Sequence, residues 1–459
     1  MSVSPQADRA PVGAGASSEL PRSLGLFDST MINVGTMIGS GIFLVPAIVA
    51  QYLHTPALNL AVWVVATIVS LLGALTIAEL GASLPKAGGL FVYLKEAYGP
   101  IWGFFYGWAL FVVIQTGSIA AVAVAFATYL GHFVPLGDLG VKLIAVIAIA
   151  ALTAVNVLGV REGAWTQNIV TVAKIAVIGG LLAIAFSAPT GAWSNLLSGG
   201  SSLAPATALA FGAALIGPLW AFDGWIQTSY VGGEIRNPAR YLPLATIASV
   251  VIVGVVYLLL NVAYLYVLGV EGTARSALVA ADTAAAVLGS AGAGFAAALV
   301  MLTALGSTNG MILAGPRVYY AMAREGLFWE PLARVHPRFR TPAVSLGAQG
   351  LWSIGLAFSG TYEQLFTYVI FASWVFYGMG AAAVFVLRRR ADLPRPYRVW
   401  GYPWVPLAFI AFTIALLVNT LVTDPRNSLI GLGLLLAGVP VYLYYRRARD
   451  RAPLSSNGG

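Results

Sequence analysis

The sequence predicts an all-α polytopic membrane protein of 12 transmembrane helices, two of them interrupted near the bilayer centre. Three observations carry this prediction. Of 459 residues, 59% are hydrophobic and 9% charged, against roughly 25% charged in soluble domains. Apolar runs of about 20 residues, long enough to cross the hydrocarbon core as helices, recur along the chain. Between them lie cuts such as "LPKAGG", "EIRNPARYLP" and "RRRADLPRPYRVWGYP", whose Pro, Gly and charged residues stop helices.

The runs give spans at 27–52, 57–82, 101–133, 141–159, 165–188, 205–231, 241–268, 284–321, 343–359, 364–387, 403–422 and 428–446. The amphipathic stretch "FVYLKEAYG" after the second span is expected along the membrane interface. Residues 1–23, rich in Ala, Gly, Pro and Ser and without an apolar h-region, read as a disordered tail and not as a cleaved signal. Residues 447–459 form a second short tail. The absence of cysteine excludes disulfides, thiolate metal ligation and a thiol nucleophile.

The net charge of +8 would suggest a nucleic-acid partner in a soluble protein; here it follows from loop asymmetry. Arg9 and Arg22 precede span 1, Lys86 and Lys95 follow span 2, and Arg161 follows span 4. Arg236 and Arg240 follow span 6, Arg324, Arg334, Arg338 and Arg340 follow span 8, and Arg388, Arg389, Arg390, Arg395 and Arg398 follow span 10. The intervening loops hold only Lys142, Arg275 and Arg426. The positive-inside rule then places both termini in the cytoplasm and requires an even number of spans.

Span 1 contains "GTMIGSGIFLVP", residues 35–46. Gly35 and Gly39 form a small-xxx-small packing pair, and Gly39-Ser40-Gly41 invites unwinding, since glycine weakens a helix by about 1 kcal/mol relative to alanine. Unwound backbone at membrane depth is tolerated only where it is buried in protein or lines a cavity. Span 6 reads "ALAFGAALIGPLWAFDGWIQTSYVGG"; Pro218 removes a backbone donor, and Gly217-Pro218 and Asp223-Gly224 bracket the centre. A proline kink alone would explain span 6, but two interrupted spans standing five apart are what inverted repeats of spans 1–5 (24–188) and 6–10 (205–388) produce, with 403–446 as two further helices. A half-helix N-terminus suits a carboxylate, and unwound carbonyls suit an ammonium. Opposed breaks therefore form a receptor for the zwitterionic backbone of an amino acid.

The stretches "GTMIGSGIF", "AELGASLPKAGGLFVYLKEAYGP", "WAFDGWIQTSYVGGEIRNPARYLP" and "STNGMILAGPRVYYAMAREG" resemble the amino acid–polyamine–organocation superfamily. The likeness is greatest to its L-type amino acid transporter branch and to bacterial serine/threonine-type exchangers, in order over residues 24–446. This resemblance implies a five-plus-five inverted-repeat (LeuT-type) fold. It implies that backbone N–H groups of Ser40, Gly41 and Ile42 take the substrate carboxylate and that carbonyls of Met37, Trp220 and Asp223 take its amino group. Ile38, Gly39, Ala221, Phe222 and Gly224 complete the two binding segments, and Trp220 covers the pocket as a gate. Ser373 and Trp374 in "FASWVFYG", with Gln115, Thr116 and Ser118 of span 3, are expected to line the side-chain pocket. Spans 1 and 6 would rock against a scaffold of spans 3, 4, 8 and 9. Eukaryotic members are often disulfide-linked to a single-span glycoprotein; a chain without cysteine cannot form that link.

Lys174 in "TVAKIAVIGG" lies roughly 14 Å into span 5, and intramembrane ionisable groups are functional candidates by default. In sodium-driven carriers of this fold a sodium ion lies between unwound helix 1 and later scaffold helices, and the resemblance places the Lys174 ammonium nearby as a coupling group. Asp223 either acts in the site or caps a half-helix; Glu79, near the end of span 2, is expected to meet loop groups or a helix end.

An enzyme is disfavoured: His54, His132 and His336 fall in loops, no HExxH occurs, and Ile38 spoils a GxSxG around Ser40. "GTMIGSG" also lacks the lysine of a P-loop. A channel is the structural rival, opposed by the paired breaks and the lack of a charged ring. The reading is a cofactor-free, sodium-independent carrier or exchanger of small or medium neutral L-amino acids in the cell membrane, working by alternating access. Proton-coupled symport is the alternative. The bilayer and the amino acid are its expected partners, with no nucleic acid.

Overall fold

The computed structural model describes residues 20–197, 205–289, 291–359, 362–423 and 425–451. Among them the chain is helical, and its only extended pairing is a parallel bridge between Leu24 and Ile235. The helices are α1 (Leu26–Met37), α2 (Gly41–Tyr52), α3 (Pro56–Ser83), α4 (Leu90–Tyr98), α5 (Pro100–Ala109), α6 (Gln115–Leu130), α7 (Asp138–Leu158), α8 (Val160–Phe186), α9 (Pro205–Ala221) and α10 (Gln227–Tyr230). They continue as α11 (Pro238–Arg275), α12 (Val279–Leu288), α13 (Ala291–Ala314), α14 (Pro316–Arg324), α15 (Ala343–Ser359), α16 (Tyr362–Leu387), α17 (Trp404–Thr423), α18 (Pro425–Leu436) and α19 (Gly438–Arg451).

Among the described residues, eight helical stretches are long and apolar enough to cross a bilayer, nine when the bent pair α1–α2 is one span. This is a multi-pass membrane protein. Shorter apolar segments at Ala208–Ala221, Val279–Leu288, Ala343–Phe358 and Ala372–Leu387 fall where the sequence places spans 6, 8, 9 and 10. Span 6 is interrupted where α9 ends at Ala221, and that leaves an apolar helix too short to count alone.

Glycine sets several boundaries differently from the sequence reading. Span 8 is divided: α12 ends at Leu288 beside Gly289 at φ 59°, and α13 begins at Ala291. Gly269 at φ 65° kinks α11, which runs on to Arg275. The amphipathic α4 buries Leu90, Phe91, Val92, Tyr93 and Leu94, packing on α5 and α16 and offering little apolar face to an interface. Of residues 1–23, the first nineteen lie outside the described residues; Ser23 is ordered, its N–H donating to the Glu234 carbonyl at 2.9 Å.

Two packed groups hold the core. The broken helices α1–α2 and α9 pack with α3 and α11, while α6, α7, α13 and α15 pack on one another. Helix α8 touches α1, α11 and α13, and so stands at the seam. At the arginine-rich end, Arg317 and Glu234 form a fully buried ion pair (2.7 Å). Glu79 accepts from Arg388 through both oxygens, at 2.7 and 2.6 Å, and from the Val399 N–H at 2.7 Å. It thereby ties the end of α3 to the loop after α16.

Candidate functional site

The first break lies between α1 and α2, whose axes differ by 43°. Helix α1 closes with the Ile38 N–H on Val34, and the Gly39 N–H turns back to the Met37 carbonyl at 2.8 Å. The Gly35 and Ile38 carbonyls lose helical partners and find others. The Lys174 ammonium donates to Gly35 at 2.7 Å, Ile38 at 2.8 Å and Thr303 at 3.3 Å, which uses the three donors a lysine has. Its side chain is 0% exposed. The Ser307 hydroxyl lies 3.0 and 3.1 Å from the same two span 1 carbonyls. A Cβ on Gly39 would stand 2.9 Å from Ser307 Oγ, so glycine is what lets α13 approach this backbone.

The second break follows α9. Pro218 lies inside that helix, and after Ala221 the chain turns through Phe222–Ile226 before the single turn of α10. Gly224 sits at φ 123°, where an added Cβ would meet Thr36 Cγ2 at 2.9 Å. Asp223 accepts through Oδ1 from Tyr377 (2.6 Å) and from the Gly224 N–H (3.0 Å).

Side chains couple the breaks. The Tyr257 hydroxyl lies 2.6 Å from the Met37 carbonyl and 2.9 Å from that of Ala221. Asn33 of α1 donates to the Trp225 carbonyl at 2.7 Å and accepts from the Thr228 N–H at 2.8 Å, while the Thr228 hydroxyl donates to Ser29 at 2.7 Å. Thus α1 is laced to the segment around α10, and α2 packs against α9.

Between the breaks lies a small cavity of ≈ 40 Å³, larger than the ~10–15 Å³ one water requires. Gly39, Ser40 and Gly41 line it from span 1, and Trp220, Ala221, Asp223 and Gly224 from span 6. Gln115, Ser118, Gln227, Ser307 and Tyr377 add polar groups. Gln115 and Gln227 pair reciprocally at 3.2 and 3.1 Å. The Trp220 indole overlies Gly41, since a Cβ there would be 3.0 Å from the ring and 3.1 Å from the Ala221 methyl. Tyr230, also on the wall, is hydrogen-bonded to Tyr106, and the Glu234–Arg317 pair lies further along the same segment.

Not every expected residue reaches the wall. Met37 does, but its carbonyl is already held by Tyr257 and the Gly39 N–H. Ile38, Ile42 and Phe222 are fully buried behind it, and the Phe222 ring packs edge-on to Tyr257 at 5.0 Å; Gly41 and Ile42 still present N–H groups at the start of α2, where a helix has no acceptor of its own. Thr116 turns its hydroxyl to the Phe111 carbonyl at 2.7 Å. Ser373 is buried one turn before Tyr377, the α16 residue that lines the cavity, and Trp374 packs on Phe409 at 5.7 Å. The sequence reading missed Tyr257, Tyr377, Gln227 and the role of Ser307. A sign existed for Tyr257: a tyrosine inside "GVVYLLLNV" must find its hydroxyl a partner. A π-helical turn at Leu110–Ile114 precedes Gln115; such turns occur often at functional sites.

Comparison with known proteins agrees over most of the chain. The pattern of the family described as "Amino acid permease" matches residues 24–439. The chain is 34% identical over 427 residues to the serine/threonine exchanger SteT of Bacillus subtilis (strain 168), covering 92% of this chain and 96% of that protein. It is 34% identical over 418 residues to the b(0,+)-type amino acid transporter 1 of Mus musculus, covering 89% and 84%. With the cystine/glutamate transporter of Homo sapiens it shares 31% identity over 441 residues, covering 93% and 86%.

Proposed function

The chain belongs to the amino acid permease family and is an amino acid transporter, not an enzyme; from that premise we propose that it is a sodium-independent carrier or exchanger of small or medium neutral L-amino acids. One observation carries this reading: the ends of two broken helices meet at a single cavity, one offering the N–H groups of α2 and the other the region of the Trp220 and Asp223 carbonyls. Carboxylate and ammonium then bind on opposite walls, and the small room left beside Trp220 favours a short side chain. Lys174 supports sodium independence, because its ammonium already occupies carbonyls that a sodium ion would otherwise share.

Transport proceeds by alternating access in a 12-span, five-plus-five inverted-repeat fold in the cell membrane. The arginine-rich end faces the cytoplasm with both termini, and covalent linkage to a cysteine-bearing subunit is excluded by composition. The laced pairs α1 with α10 and α2 with α9 move as units against α5–α6, α7, α13 and α15. Trp220 gates the cavity, and the Tyr106–Tyr230 and Glu234–Arg317 contacts close its cytoplasmic side. Proton-coupled symport is the second reading, favoured by one feature: Asp223 places a carboxylate on the cavity wall.

The test is uptake into proteoliposomes of purified protein. Twenty amino acids compete against labelled serine, with and without internal substrate, a sodium gradient or a proton gradient. Internal substrate is expected to accelerate uptake and sodium to have no effect. A sodium requirement would overturn the assignment; acceleration by protons without internal substrate would select symport.

A further inference from the structure

We propose that a second cleft, between α1, α8 and the segment after α10, binds the phosphate headgroup of an anionic lipid. The cleft measures ≈ 510 Å³ and gathers three guanidinium groups, Arg22 ahead of α1, Arg161 in the first turn of α8 and Arg236 ahead of α11. One carboxylate, Asp28, lies on its floor, already satisfied by Asn168 at 2.7 Å and by the Gly25 N–H at 2.8 Å. Arg236 spends two donors on the Ser23 carbonyl, at 3.0 and 2.7 Å. Among the described residues none of the three arginines has a carboxylate partner.

Topology alone does not account for this. Basic residues collect at a cytoplasmic face, but others at this end are neutralised: Arg317 by Glu234, Arg388 by Glu79, Arg390 by Glu96 and Asp392, and Lys95 by Glu325. Here three guanidinium groups without carboxylate partners among the described residues converge on one cleft with a net positive charge. An adjoining cleft shares Arg22 and adds Lys86 and Arg324 against Glu325. Arginine forks match phosphate oxygens in paired hydrogen bonds, and basic pockets between membrane helices on the cytoplasmic side hold lipid headgroups.

The surroundings point to a lipid in preference to a free anion. Trp165, which lines the cleft, is 67% exposed, and Ile169 and Val172 continue along the same face of α8 at 47% and 50%. An indole at headgroup level above an apolar stripe gives an acyl chain a path away from the arginines. Headgroup binding would brace the start of α1 and the α10–α11 segment, which are laced together, against α8.

The experiment is native mass spectrometry of the full-length protein incubated with phosphatidylglycerol or phosphatidylcholine, comparing wild type with the double variant Arg22→Gln/Arg161→Gln. Both arginines are exposed, so the variant is expected to fold and to exchange amino acids normally in phosphatidylcholine vesicles. Wild type should retain one phosphatidylglycerol at least tenfold more strongly than the variant, with phosphatidylcholine retained alike. Equal retention of phosphatidylglycerol would overturn the site. Inorganic phosphate is the second probe: displacement of the lipid by phosphate alone at millimolar concentration would overturn the lipid assignment in favour of a free-anion site. Neither readout depends on the transported substrate.

Discussion

The hydroxyl of Tyr257 lies 2.6 Å from the carbonyl of Met37, the last residue of α1. The same hydroxyl reaches the carbonyl of Ala221, the last residue of α9, at 2.9 Å. Helix ends leave carbonyls without intrahelical donors, and inside a membrane those carbonyls need partners from the protein. One hydroxyl thus bridges the two broken helices, and in the proposed cycle a ligand ammonium arriving at the Met37 carbonyl would compete with it.

Tyr257→Phe should keep the fold and slow exchange. The ring still packs on Trp63 at 5.4 Å and Phe222 at 5.0 Å, while the buried carbonyls lose a donor, a cost of about 1–3 kcal/mol. A melting temperature lowered by a few degrees and a loss of exchange rate of about tenfold, which corresponds to ~1.4 kcal/mol, are expected from thermal melts and proteoliposome assays. Unchanged exchange would remove the hydroxyl from the cycle.

Gly41→Val should abolish substrate binding in a folded protein. Even the first added carbon would sit 3.0 Å from Trp220 and 3.1 Å from Ala221, and the branched side chain also stiffens the start of α2. The indole must then move from its place over the break. Binding is read by substrate-induced thermal stabilisation, which should vanish while the apo melting curve stays cooperative. Wild-type uptake in this variant would place the substrate elsewhere.

Local chemistry explains what the sequence disclosed. Gly39-Ser40-Gly41, Gly217-Pro218 and Asp223-Gly224 disrupt helices by themselves, so both breaks could be found without a partner. Lys174 was conspicuous because an ammonium in an apolar run has few bland explanations. The partners were not legible, because they come from afar: Tyr257 stands 220 residues from Met37, Ser307 272 residues from Gly35, and Tyr377 154 residues from Asp223. Side-chain register was lost at the scale of one turn, since Ser373 and Tyr377 share a helix face and only the second reaches the cavity. The π-helical turn at Leu110–Ile114 left no sequence mark and determines how Gln115 and Ser118 approach.

Lys174→Ala should leave substrate binding within a fewfold of wild type and reduce turnover severely, by about a hundredfold or more, ~2.7 kcal/mol. The substitution strips the Gly35, Ile38 and Thr303 carbonyls of one shared donor; Ser307 can serve only one of the first two at a time. The break then loses the tie that links it to α8 and α13, so binding at one face no longer biases closure at the other. Equilibrium binding and counterflow measured on the same preparation separate these effects. A variant with normal exchange rates would refute the coupling role, and restoration of transport by a sodium gradient would support the ammonium as a substitute cation.

The proposed preference for neutral substrates is tested at Asp223. Its carboxylate is on the cavity wall beside Trp220, yet Oδ1 is held by Tyr377 at 2.6 Å and by the Gly224 N–H at 3.0 Å, the arrangement of a group that fixes the second break. A cationic side chain would have to reach past Trp220 within a cavity of ≈ 40 Å³ and recruit the other oxygen. Alanine, serine, threonine and leucine are therefore expected to outcompete lysine and arginine. Asp223→Asn, which keeps an oxygen to accept from Tyr377, should lower neutral-substrate uptake by less than about tenfold, ~1.4 kcal/mol. If lysine or arginine wins in wild type and that preference disappears in Asp223→Asn, the carboxylate is the side-chain receptor and the neutral assignment is wrong. If Asp223→Asn instead eliminates stimulation by an inward proton gradient while exchange persists, the carboxylate carries the proton of a symporter.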